Sequence, residues 1–211
     1  MKTKKWIWLI PAILLLLLIA GFAFGESLWT EIGRRDANAA NERADGTLLA
    51  TIQGEEFRSN GFETMLGDYA LLGNEKDPEE YARKQVFQEL LLREAESRGF
   101  SVDEAAVKQH VKQTKAAMEQ SPEAKATLRE YLRGLGMKEK EYWEISETVY
   151  RKWLLTSQLD AALRQEYFAE NPNATDDDFH DYYMNEYRDS LFESYQVQML
   201  PLEADSTPEQ P

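Results

Sequence analysis

The sequence contains no cysteine, which excludes a disulfide framework, a thiolate nucleophile and cysteine-bound zinc. It also removes the lipid-attachment cysteine that a bacterial lipoprotein would need. Only two histidines occur, His110 and His180, and no G-x-S-x-G elbow presents a serine, so no nucleophile–base pair of a hydrolase can be assembled. The 11 glycines are scattered singly, which leaves no phosphate-cradling loop. Positive charge is short as well: 24 Lys+Arg stand against 38 Asp+Glu, for a net charge of −14. Such a balance repels nucleic acid, whose binding needs clustered cations; its ordinary role is solubility.

The abundant acids do not mark a metal or acid/base site either. "NPNATDDDFHDYY" gathers Asp176, Asp177, Asp178, His180 and Asp181. Consecutive side chains on a helix point in different directions, and the turn glycine of a calcium loop is missing. Acids at a helix start are explained by the macrodipole and by capping. No metal and no cofactor is expected, and Asn173-Ala174-Thr175, although a glycosylation sequon, reads as an ordinary loop.

What is present begins with "MKTKKWIWLIPAILLLLLIAGFAFG". Residues 1–5 form a basic stub, with Lys2, Lys4 and Lys5, and residues 6–25 form a transmembrane anchor or signal sequence. The uncharged run from Trp6 to Phe24, at about 1.5 Å per helical residue, spans roughly 28 Å, close to a bilayer's hydrocarbon core. Secretory signals usually have apolar regions of only about 7–15 residues, which favours an uncleaved anchor. Ala23-Phe24-Gly25 leaves cleavage open. The lysines place the N-terminus inside, a bias that Arg34 and Arg35 weaken. Either way the remainder is exported.

Residues 26–46, "ESLWTEIGRRDANAANERADG", read as a short extension of the membrane helix followed by a linker. The folded domain is expected over 47–200, and the Pro- and Glu-rich residues 201–211 as a disordered tail.

Six helices are expected. Asn60 with Glu63 opens the first, which Gly73-Asn74 ends. Asp77 and Pro78 open the second, whose apolar face is Val86, Phe87, Leu90, Leu91 and Ala95, with Gly99 beyond its end. "SVDE" at 101–104 opens the third, carrying Val107, Val111 and Met118. Ser121-Pro122 opens the fourth, which stops at Gly134 or Gly136. A long fifth helix runs from Lys138 towards Glu170, and Thr175 caps the sixth towards Asp178. Two stretches fall outside the helical period. "LLATIQGEEF", Leu48 to Phe57, has a β-branched pair and a glycine break, and "YQVQML", Tyr195 to Leu200, alternates. Since a lone strand cannot satisfy its backbone, the two are expected to pair, with Pro201 limiting the ladder.

Met118, Tyr131, Met137, Tyr142 and Trp143 lie on or between successive helices. Flexible thioethers and amphipathic rings suit adaptable binding of apolar segments, although the same residues would equally serve as core.

The order of these features resembles the SurA N-terminal domain family. Leu49-Ala50-Thr51-Ile52-Gln53-Gly54 is similar to that family's V-A-x-V-N-G strand, with Gln53 in place of asparagine. "RKQVFQELLLREAESRGFSVDEAAVKQHV", Arg83 to Val111, resembles its leucine-rich helix followed by a Ser/Thr-capped acidic helix. "TDDDFHDYYMNEYRDSLFESYQV", Thr175 to Val197, looks like the helix leading out of the domain in PrsA-type foldases.

The resemblance covers roughly residues 47–197. It fits a mainly α, six-helix SurA-N-like domain with a small terminal β-pairing, which the apolar run at 6–25 would precede with one transmembrane helix. It further implies a bacterial extracytoplasmic chaperone that holds unfolded or exported polypeptides. Such foldases often carry a parvulin-type prolyl isomerase after the segment matching "FESYQVQM". With only 12 residues following Met199, no such module and no catalysis are expected here. The alternatives are an isomerase-related foldase and a non-catalytic scaffold for one membrane partner. The oligomeric state is not indicated.

Overall fold

The computed structural model describes residues 26–42 and 46–202. Along the chain these form α1 (Glu26–Glu42), β1 (Thr47–Ile52), β2 (Glu55–Ser59), α2 (Phe62–Leu71), α3 (Pro78–Ser97), α4 (Glu104–Glu119), α5 (Pro122–Leu135) and α6 (Glu139–Glu170). A helical stretch follows, built of α7 (Asp176–Asp181), a π-helical turn (Tyr182–Tyr187) and α8 (Arg188–Ser194), and β3 (Gln198–Met199) ends the order. The protein is therefore mainly helical with a small three-stranded sheet. Among the described residues no helix is long and apolar enough to cross a membrane; the expected span, 6–25, lies outside them, as do the tail beyond Leu202 and residues 43–45.

The described chain divides into two compact units. One consists of residues 26–42 with 102–154, the other of 46–101 with 155–202. The long α6 contributes its first half to the former and its second half to the latter.

The first unit is all helix. Val107, Val111 and Met118 of α4, Leu128 and Leu132 of α5, and Trp143 and Tyr150 of α6 form its core. The stretch read as a short helical extension followed by a linker is helical as far as Glu42, as α1, and it packs on α5. Ile32 is buried, Thr30 Oγ1 donates to Glu130 Oε2 at 3.1 Å, and the Tyr131 hydroxyl donates to Asp36 at 2.6 Å. Ala/Asn-rich composition looked like spacer because its few apolar residues are far apart. What fixes the helix is close backbone approach at Gly33 and Gly134.

The second unit contains the sheet, in the order β2-β1-β3. The pairing of first and last elements is present: Ala50 faces Met199, Thr51 faces Gln198, Leu200 N–H donates to Leu49 O at 3.0 Å, and Gln53 N–H to Tyr195 O at 3.0 Å. β2 was not anticipated. It folds back on β1 through a two-residue turn in which Gln53 and Gly54 both have positive φ, 51° and 82°, the type I′ hairpin geometry. A register shift between Leu48 and Ala50 accompanies the full burial of Leu49, Ala50 and Ile52.

Side-chain caps set the starts of α3, α4, α5 and α7. The Asp77 carboxylate accepts from Glu79 and Glu80 N–H at 2.8 and 3.0 Å, with Pro78 at the first position. Thr175 and Asp178 form a full capping box. Two caps differ from expectation: Asp103, not Ser101, caps α4 by accepting from Ala105 N–H, and Gly61 precedes α2 with no side-chain cap. Asn60 therefore falls in the turn.

Candidate functional site

A groove opens within the helical unit, walled by the end of α4, the length of α5 and the start of α6. Its volume is about 590 Å³, and Met118, Leu128, Leu132, Met137 and Trp143 supply its apolar surface. That size lies within the usual range for sites that hold a small ligand or a few side chains. The groove exists because α5 is short. Ser121 starts it by accepting from Ala124 N–H at 3.2 Å, and Gly136, at φ 66°, stops it. The chain then reverses into α6 over Met137.

Of the five residues singled out from the sequence, Met118, Met137 and Trp143 share this groove. Met118 and Trp143 are only 5% and 8% exposed, so they serve as core and as floor at once, while Met137 is partly exposed. The structure does not place Tyr131 on the groove; its hydroxyl ties α5 to Asp36 of α1. Tyr142 stands behind the floor, edge-on to Trp143 with ring centroids 5.2 Å apart. Burial, aided by the neighbouring Tyr150 phenol, pushes the Tyr142 hydroxyl above the ordinary tyrosine range.

The Trp143 ring is held from two sides. Its Nε1–H donates to Glu139 Oε1 at 3.0 Å, and Lys115 Nζ lies 6.0 Å from the ring centroid and 3.6 Å from the same carboxylate. An indole fixed in this way offers a rigid apolar wall. Basic residues edge the groove: Lys115, Lys125, Arg129 and Arg133 all line it.

A second cavity, of about 680 Å³, lies in the other unit beside the end of α6 and the π-helical turn. Tyr167 and Tyr182 stack there at 4.8 Å, among Glu166, Glu170, Asp181 and Glu186. The tyrosines from Tyr182 onward form a cluster of ring contacts. Tyr183 meets Phe87 at 5.6 Å and Tyr187 at 5.8 Å, and burial raises the hydroxyl pKa of both tyrosines well above the ordinary value.

The acidic run is used structurally. Asp176 pairs with Arg164 at 2.5 Å, and Asp178 accepts from Thr175, which holds its carboxyl below the usual range. No group of metal-ligating side chains is assembled among the described residues. His110 sits edge-on to Trp153 at 5.4 Å, and His180 is exposed.

No family model matches the chain, and no curated protein or solved structure matches it.

Proposed function

We propose that this protein is a chaperone-like binder of unfolded or exported polypeptides, held at the outer face of a bacterial membrane by residues 6–25. The observation that carries the reading is the apolar groove over Met118, Met137 and Trp143. A thioether and a braced indole accept varied apolar side chains, while the net negative charge keeps the protein soluble with such a surface open. The likeness to the SurA N-terminal domain family belongs to the same proposal. It is supported by the order of the segments and by the pairing of β1 with β3.

The test is aggregation of an unfolded model protein in the presence of the purified full chain in mild detergent. The reading expects slower aggregation at stoichiometric amounts, and less effect from Met137→Glu. An inert protein at several-fold excess refutes it. We further propose that the chain does not catalyse prolyl isomerisation; turnover of an X-Pro test peptide above background would overturn that.

One observation favours the scaffold reading. Ile145 and Val149, one turn apart on α6, are 55% and 56% exposed, as a fixed partner would require. Affinity capture yielding one stoichiometric protein, rather than many unrelated ones, would select it over the chaperone.

A further inference from the structure

The floor of the groove is apolar, but its α5 bank is cationic. Lys125, Arg129 and Arg133 follow each other at i, i+4 and i+8 on α5, so they form a row with a step of about 6 Å. Lys115 faces the groove from α4. In a chain of net charge −14, these four cations meet only two lining carboxylates, Glu119 and Glu139.

The cations are not equally engaged. Lys115 is held by Glu139 at 3.6 Å, and Arg133 is turned to Glu130 and to Thr30 Oγ1. Arg129 reaches Glu130 only at 3.8 Å, and its side chain is 74% exposed. Lys125 is exposed and has no carboxylate partner among the described residues. Spare positive charge is thus concentrated on Lys125 and Arg129, beside the apolar floor.

We propose that the groove selects extended client segments in which a large apolar side chain is flanked by carboxylates. This rests on the chaperone reading of the same groove and adds a charge rule to it. In an extended chain, side chains on one edge repeat at about 6.6 Å, close to the step of the cation row. Acids at alternate positions then meet Lys125 and Arg129, while the intervening apolar side chain turns towards Met137 and Trp143. Basic segments meet like charge at the rim.

The experiment uses the full chain in a non-ionic detergent. Three labelled peptides share the same aromatic and aliphatic residues and carry Glu, Gln or Lys at the alternate positions, and binding is read by fluorescence anisotropy. The Glu peptide is expected to bind about 3- to 10-fold more tightly than the Lys peptide at low salt. The difference should vanish near 0.5 M salt, where the Debye length falls to a few ångströms. The double variant Lys125→Glu, Arg129→Glu should abolish or invert the preference with an unchanged melting temperature, because both side chains are exposed.

Equal binding of the Glu and Lys peptides overturns the charge rule while leaving the chaperone reading in place. Binding of none of the three overturns both. A preference that survives the double variant overturns the assignment to the α5 row. Displacement of the Glu peptide by an equal concentration of laurate overturns the peptide assignment in favour of a small anionic amphiphile.

Discussion

Replacing Gly33 by alanine tests the tightest contact in the helical unit, where α1 crosses α5. A Cβ on Gly33 would lie 2.2 Å from the Tyr131 carbonyl oxygen and 2.9 Å from Leu135 N; on Gly134 it would lie 2.2 Å from Thr30 O and 2.9 Å from Arg34 N. Ordinary contact begins near 3.4 Å, so the shortfall is about 1.2 Å at its worst. The opposing atoms are backbone, and no rotamer change relieves them. The helices must separate, which stretches the Thr30–Glu130 and Tyr131–Asp36 hydrogen bonds of 3.1 and 2.6 Å.

Two terms oppose each other. Alanine in a helix interior gains about 0.5–1 kcal/mol over glycine. Overpacking costs about 1–3 kcal/mol, and each weakened hydrogen bond adds up to about 1 kcal/mol. The net expectation is a loss of about 1–3 kcal/mol for Gly33→Ala, read as a lower urea midpoint by far-ultraviolet circular dichroism. Gly134→Ala should cost a similar amount. The double variant should cost less than the sum, because helices already pushed apart do not meet the second methyl at full cost. A stabilised Gly33→Ala protein, or strict additivity, would refute the crossing as described.

At the β1–β2 turn, Gln53→Asn suits the positive φ of 51° better than glutamine and should raise stability by up to about 1 kcal/mol, whereas Gly54→Val should lower it; unchanged thermal midpoints would contradict the type I′ assignment. Burial raises the Asp160 carboxyl pKa, with Arg164 only partly opposing it, so its contribution to stability is complete below the ordinary aspartate range and is lost as pH rises through the displaced titration. Asp160→Asn should therefore raise the melting temperature at pH 7 and progressively less towards pH 4, and a pH-independent difference would refute this. Thr175→Ala removes the acceptor for Asp178 N–H and should cost about 1 kcal/mol at pH 7. The Asp178 carboxyl pKa is held low first by the Thr175 N–H, which alanine keeps, and second by the Thr175 hydroxyl, which it removes; the hydroxyl's share is present above the ordinary aspartate range and is lost as pH falls, so that part of the Thr175→Ala penalty should shrink at pH 3.

Helix positions were legible where chemistry is local. Asp77-Pro78, Ser121-Pro122 and Thr175 with Asp178 each announce a helix start through a side chain that meets its own next turn. The β1–β3 pairing was legible for a different reason: a short apolar strand has to find hydrogen-bond partners, and "YQVQML" was the remaining alternating stretch. β2 escaped notice because "EEFRS" is largely exposed and carries little hydrophobic signal; it is a strand because the Gln53-Gly54 turn returns it alongside β1. The α1–α5 crossing escaped for a related reason. Gly33 and Gly134 are 101 positions apart, and a mid-helix glycine ordinarily reads as a weak point rather than a contact.

The groove divides along the same line. Met118, Met137 and Trp143 could be picked from residue type and helical placement, because an apolar floor is built from positions that also serve the core. Tyr131 could not be separated from them, since its partner Asp36 lies on a helix whose packing depends on two glycines. The cation row was written plainly at i, i+4 and i+8, yet a net charge of −14 directs attention away from it. Net charge is a sum over the whole surface, whereas a groove responds to the charges within a Debye length of it. A helix face that runs against the sign of the whole chain is therefore the more informative signal, and here it borders the apolar floor on which the proposed function rests.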